Sequence, residues 1–328
     1  MSMKVDAGEI NKIKKDLDSV RGEISRVVVG QADVVNGLLR GILAKGHILL
    51  EGVPGIAKTL IMKTLAHVTT SGYKRVQFTA DLLPTDITGI TAYDKSKGFY
   101  VVKGPVFTNF LLADEINRSP AKVQSALLEA MQEKQVTIGN KTFIIDEPFF
   151  VLATQNPIES TAIFPLPEAQ MDRFLFKLYI DYPKIDEEQE ILQKNITISS
   201  FDDFKIKSVV STKEIIKMQE VVKRIYVSPE VEKYIVRLVD ATRFSEKYKL
   251  KNTKYIAYGG SPRASIGLYI AAKADAILEG KNYVTPKNVK NVAHDVLRHR
   301  IILNYEGQAE NIKTDGIVSE ILMKVPTP

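Results

Sequence analysis

HILLEG (47–52) runs without a break into GVPGIAKT (52–59). The first piece is a short apolar run ending in glycine, which reads as a buried β-strand. The second follows the phosphate-loop pattern G-x-x-x-x-G-K-[ST] at Gly52, Lys58 and Thr59, and departs from it at Ala57. KTLIMKTLA (58–66) then reads as a helix. Strand, loop and helix in this order are the context such a loop needs, because backbone N–H groups at a helix N-terminus point at the bound anion. Alanine at position 57 keeps its N–H and adds only a methyl. In this reading Lys58 reaches the β- and γ-phosphates and the Thr59 hydroxyl faces Mg²⁺. The plain alternative is a strand–turn–helix corner with a surface lysine.

Working outward, apolar runs recur at KRVQFT (74–79), FTNFLLADE (107–115), FFVLATQ (149–155) and FLFKLYI (174–180), separated by helical patterns or insertions. Strands alternating with helices predict a mostly parallel sheet covered on both faces. Active sites in such sheets gather at the carboxyl ends of the strands. There the sequence delivers Asp114 and Glu115, and Asn156. Asp114 suits a water-mediated contact to Mg²⁺, and Glu115 can polarise an attacking water. A solvated acidic turn is the alternative for the pair. Asn156 can orient that water, or simply start a turn with Pro157. Arg173, in PEAQMDRFLF, suits contact with a γ-phosphate from a neighbouring subunit, or a salt bridge with Asp172 or Glu168. Arg263, in GGSPRAS, opens a later helix and is either a γ-phosphate sensor or a surface arginine.

After about Pro183 the patterns are helical: IDEEQEILQK, TKEIIKMQEVVKRIY, PEVEKYIVRLVDATRF, PRASIGLYIAAKADAILEG and TPKNVKNVAHDVLRHRI. Thr285 followed by Pro286 is a helix start. The expected division is a core over 1–183 and a helical domain over 184–328, and the 328-residue length favours two domains. A net charge of +6 allows an acidic partner without requiring one, and the absence of cysteine excludes a disulfide frame or thiolate metal site. MSMKVDAGEI lacks the apolar core of a signal peptide, and no apolar run reaches a membrane span. The expectation is a soluble cytoplasmic protein.

Together, GVPGIAKT, VQFTADLLPTDITG, GPVFTNFLLADEINRSPAKVQSALLEAMQE, FFVLATQNPIE, FPLPEAQMDRFLF and SPRAS resemble the MoxR family of AAA+ ATPases over most of the chain, from about Gly30 to Arg300. The resemblance implies an αβα sandwich with a five-stranded parallel sheet, followed by an all-α lid. It implies an ATP-binding Walker A loop of Gly52, Val53, Pro54, Gly55, Ile56, Ala57, Lys58 and Thr59, with Leu60 beside it. Asp114 and Glu115 match Walker B, Asn156 sensor 1, Arg173 the arginine finger and Arg263 sensor 2. Ala57 is common in loops of this family. In place of the charged, glycine-containing stretch usual before PLPEAQ, this chain has STAIF (160–164).

Residues 85–104 look like an insert within the second core helix, and 135–145 like the hairpin before sensor 1, both of which face the pore in ring motors or are ordinary surface hairpins. The implied function is ATP hydrolysis coupled to remodelling of protein clients by a homo-hexamer, often with von Willebrand factor A domain partners. The same branch contains nucleic-acid motors, and Lys141 at the 135–145 turn would be their grip. The hairpin carries few basic residues and no stacking aromatic at its turn, which disfavours that reading. A scaffold that binds ATP without turnover is disfavoured by the intact Asp114–Glu115 pair.

Overall fold

The computed structural model describes residues 5–53, 58–96, 98–156, 164–194 and 201–328. In chain order the first part holds α1 (Ala7–Ser25), α2 (Ala32–Leu43), β1 (Ile48–Gly52), α3 (Lys58–Val68), β2 (Tyr73–Gln77), α4 (Pro84–Thr88), β3 (Gly89–Asp94) and β4 (Gly98–Lys103). There follow β5 (Phe110–Asp114), α5 (Ala121–Glu133), β6 (Gln135–Ile138), β7 (Lys141–Ile144), β8 (Phe150–Gln155), α6 (Glu168–Met171) and β9 (Phe176–Ile180). Beyond these come α7 (Ile185–Gln193), α8 (Thr212–Arg224), α9 (Pro229–Arg243), β10 (Ile256–Tyr258), α10 (Pro262–Leu278), α11 (Pro286–Leu297), β11 (Ile302–Leu303), α12 (Tyr305–Ala309) and α13 (Thr314–Lys324).

Five strands form a parallel sheet in the order β2–β5–β8–β1–β9. Their apolar runs are continuous because each face feeds its own core. Ile48, Leu50, Phe110, Leu112, Phe150 and Leu152 pack with α1, α2 and α3. The residues between them, Leu49, Leu111, Ala113, Val151 and Ala153, pack with α5 on the other face. This is the two-residue period of a strand read out as two separate interiors.

The helical region does not stand apart from the sheet. Ile215 of α8, Leu238 of α9, Leu268 of α10, Val292 of α11 and Ile321 of α13 join the same cluster as α1 to α3. Ser211 caps α8 through the Glu214 N–H while the Glu214 carboxylate returns to the Ser211 N–H at 2.7 Å, a reciprocal cap. Within this region β10 and β11 form a short antiparallel ladder that the helical patterns do not announce. Strands of three and two residues are too short for periodicity to register.

The 85–104 stretch forms the β3–β4 hairpin, paired from Gly89 with Lys103 to Asp94 with Gly98, after the single turn of α4. The 135–145 stretch forms the β6–β7 hairpin, in which Ile138 pairs with Lys141 and Gly139 takes a left-handed φ of 62°. Parallel pairing puts all five carboxyl ends on one edge. There Gln77 lies beside Asp114, and Glu51 lies beside Gln155. At the opposite edge Ile48 lies beside Phe176, just after the Asp172–Leu175 turn.

Candidate functional site

Lys58 opens α3 and is partly buried, and its ammonium donates to the Gly52 carbonyl at 2.6 Å. Burial pulls its pKa down, while the carboxylates of Asp114, Glu115 and Glu51 pull it back up. Thr59 lies exposed in the first turn of the same helix, and Leu60 is partly buried behind it. Gly52 is required by packing: a Cβ there would meet the Ile180 carbonyl oxygen of β9 at 2.3 Å. Val53 is partly buried, and Pro54, Gly55, Ile56 and Ala57 lie outside the described residues.

β5 delivers Asp114 to the carboxyl edge. Its Oδ1 accepts from the Thr154 hydroxyl at 2.6 Å, and its Oδ2 accepts from Arg75 Nε at 3.1 Å and Nη2 at 2.7 Å. Glu115 takes a left-handed backbone, φ 56° and ψ 50°, a conformation uncommon for a side chain other than glycine. Its N–H donates to Thr154 Oγ1 at 2.8 Å. One hydroxyl therefore fixes both acidic residues. The Glu115 Oε2 accepts from Gln77 Nε2 at 2.5 Å and from Arg118 Nη1 at 3.1 Å. Asn156 follows β8 directly on this edge and is 5% exposed.

Lys58, Asp114, Glu115 and Asn156 are thus brought to one edge, as the sequence predicts. The donors present fit Mg²⁺. Among the described residues no group of three or more His, Asp or Glu side chains could hold a metal unaided. Mg²⁺ takes one or two protein oxygens and draws its remaining ligands from phosphate and water. The Thr59 hydroxyl and the Asp114 carboxylate are hard oxygen donors of that kind.

Arg173 and Arg263 lie at the opposite edge. The exposed Arg173 donates from Nη1 to the Leu128 carbonyl of α5 at 3.2 Å. Among the described residues it makes no ion pair with Asp172 or Glu168. Asp172 is engaged otherwise, by Arg300 Nε at 2.7 Å, by the Ser261 hydroxyl at 3.0 Å and by Arg263 Nη1 at 3.9 Å. Arg173 and Arg263 line one cleft of about 370 Å³ together with Lys45, Lys134 and Arg300. The structure therefore places Lys58, Thr59, Asp114, Glu115 and Asn156 at one edge of the sheet and Arg173 and Arg263 at the other.

Thr154, Gln77, Arg75 and Arg118 were not legible as site residues from the motifs. Two signals exist in retrospect. Thr154 is the polar residue that directly follows the apolar run FFVLA within β8, and Arg75 and Gln77 alternate along β2.

A sequence model of the ATPase family associated with various cellular activities (AAA) matches residues 47–176, and one of the AAA lid domain matches 249–321. The chain is 46% identical over 308 residues to the chaperone MoxR1 of Mycobacterium tuberculosis, covering 93% of this chain and 81% of that one. It is 41% identical to the uncharacterised protein YeaC of Bacillus subtilis, covering 96% of this chain and 97% of that one. A crystal structure from Cytophaga hutchinsonii superposes with a TM-score of 0.91 at 48% identity, covering 97% of each chain. Two family-specific segments, an extended relative at this identity and a shared five-stranded core with a helical lid all agree: the chain belongs to the MoxR family of AAA+ ATPases.

Proposed function

We propose that this protein hydrolyses ATP as a ring of identical subunits and uses the cycle to remodel protein clients. The carrying observation is the division of the site. Lys58, Asp114 and Glu115 meet at the carboxyl edge, whereas Arg173 and Arg263 project at the amino edge of the same sheet. A nucleotide held by Lys58 of one subunit is then completed by Arg173 and Arg263 of the next, so Arg263 acts in trans. A hexamer is the ring that the family resemblance implies. The division into a core over 1–183, with the 85–104 and 135–145 hairpins, and a lid over 184–328 belongs to the same proposal.

In the reaction residues 52–60 bind the phosphates and Lys58 neutralises the β- and γ-oxygens. Thr59, and Asp114 through water, would hold Mg²⁺, which would supply charge neutralisation. Asn156 orients the attacking water and Glu115 accepts its proton as the oxygen bonds to the γ-phosphorus. The β–γ bridging oxygen leaves with ADP, and Arg173 stabilises the charge that develops. Clients are proteins, with von Willebrand factor A domain partners as the class of adaptor, in the cytoplasm.

Glu115→Gln is expected to keep ATP binding while lowering turnover on the order of 10²–10⁴-fold, the usual contribution of a general base. Lys58→Ala is expected to abolish binding, and Ala57→Gly to leave it largely intact. The Glu115→Gln ring loaded with ATP should retain client proteins on co-purification. Normal turnover by Glu115→Gln removes the assignment of the base, and rings that never retain or alter a protein remove the remodelling role.

A further inference from the structure

We propose that Arg300, a lid residue just beyond α11, is the positioning residue for Arg173. The two are joined through the backbone on either side of the finger. Arg300 Nε donates to Asp172 Oδ1 at 2.7 Å and Nη2 to the Asp172 carbonyl at 3.4 Å. Nη2 also donates to the Phe174 carbonyl at 2.7 Å, and Nη1 to the Leu175 carbonyl at 3.1 Å. A further bond from Nη1 to the Val296 carbonyl ties the same guanidinium to α11. His299 Nε2 adds a second donor to the Phe174 carbonyl at 3.1 Å. One planar fork thus grips the residues before and after Arg173.

Arg300 is only 7% exposed, and a buried guanidinium is tolerated only when its donors are matched and its charge is paired. Asp172 supplies the charge, and Asp172 also accepts from Ser261 at the start of α10 and pairs with Arg263. Mere adhesion between α11 and β9 would be achieved at lower cost by an apolar side chain of similar size. What the fork supplies instead is direction. The Arg173 side chain is exposed and, among the described residues, is held by one hydrogen bond, to the Leu128 carbonyl, so its aim follows its backbone. Any displacement of α10 or α11 is transmitted to the finger through Asp172 and the 172–175 carbonyls. Lysine cannot replace this function, because its ammonium is a point charge without the planar fork.

The inference rests on Arg173 serving a neighbour's nucleotide, and the test separates the two. Arg300→Lys is expected to bind a fluorescent ATP analogue normally and to lose about tenfold or more in kcat, as expected for a misplaced catalytic group. Added to Arg173→Ala, it is expected to cost little more. Mixed with subunits carrying Glu115→Gln, which are inactive but present an intact finger, Arg300→Lys subunits should regain turnover above the sum of the two alone. A fold defect confined to the variant subunit would not be rescued in this way. Asp172→Asn, which keeps the side-chain shape, serves as a second variant with the same rescue expected.

Wild-type turnover by Arg300→Lys overturns the proposal, as does absence of rescue in a mixture where Arg173→Ala is rescued. Failure to rescue Arg173→Ala itself overturns the shared-site reading on which the proposal stands.

Discussion

Thr154 donates to Asp114 and accepts from the N–H of Glu115, so a single hydroxyl orients both acidic residues. Thr154→Val keeps the shape and strands the Glu115 N–H, a loss on the order of 1–3 kcal/mol for an unsatisfied buried donor. The expected result is a lowered melting temperature together with a fall in kcat at unchanged ATP affinity. Gly52 illustrates a different constraint. Its missing side chain is explained by the approach of β9, and Gly52→Ala drives a methyl against the Ile180 carbonyl. A cost of about 2 kcal/mol or more is expected from such overpacking, read as a drop in denaturant midpoint. The lysine, threonine and acidic pair were legible because charged or hydroxylic residues stood at the ends of apolar runs. Thr154 was not, because a threonine inside a buried strand is compatible with ordinary packing.

At the scale of elements, the amino edge of the sheet carries a buried histidine that makes stability depend on pH. His47 precedes β1, receives the Val151 N–H on Nδ1 at 3.1 Å and donates from Nε2 to the Met131 carbonyl at 3.2 Å. Burial is the main cause that lowers its pKa from 6.5 to about 4, with the Met131 carbonyl opposing and Lys134 adding to the fall. The unfolded chain therefore binds a proton near 6.5 that the folded chain refuses until about 4. Its contribution is present in full above 6.5 and is lost as the pH falls towards 4, amounting to about 2 kcal/mol by about pH 5. His299, also buried and lowered, acts in the same direction. Denaturation midpoints should fall between about pH 6.5 and 5, and a flat profile there contradicts this account. The strands and long helices were legible from period and caps. The β10–β11 ladder was not, since its pairing is set by contacts distant in sequence.

For the whole molecule, the decisive feature of the proposed function is that one chain would carry both halves of a shared site, at opposite edges of one sheet. The sequence supplied the residues of each half, and the family resemblance supplied their roles. Their separation follows from strand direction: Asp114 ends a parallel strand and Arg173 precedes one. The lid helices share the core of α1 to α3, and Arg300 ties the lid to the Asp172–Leu175 turn at the amino edge. The measurement that tests this most directly is specific ATPase activity against protein concentration, with assembly followed by light scattering. The account predicts turnover per chain that rises as rings form and that Arg173→Ala abolishes without weakening ATP binding. Concentration-independent turnover by monomers, unchanged in Arg173→Ala, would contradict it.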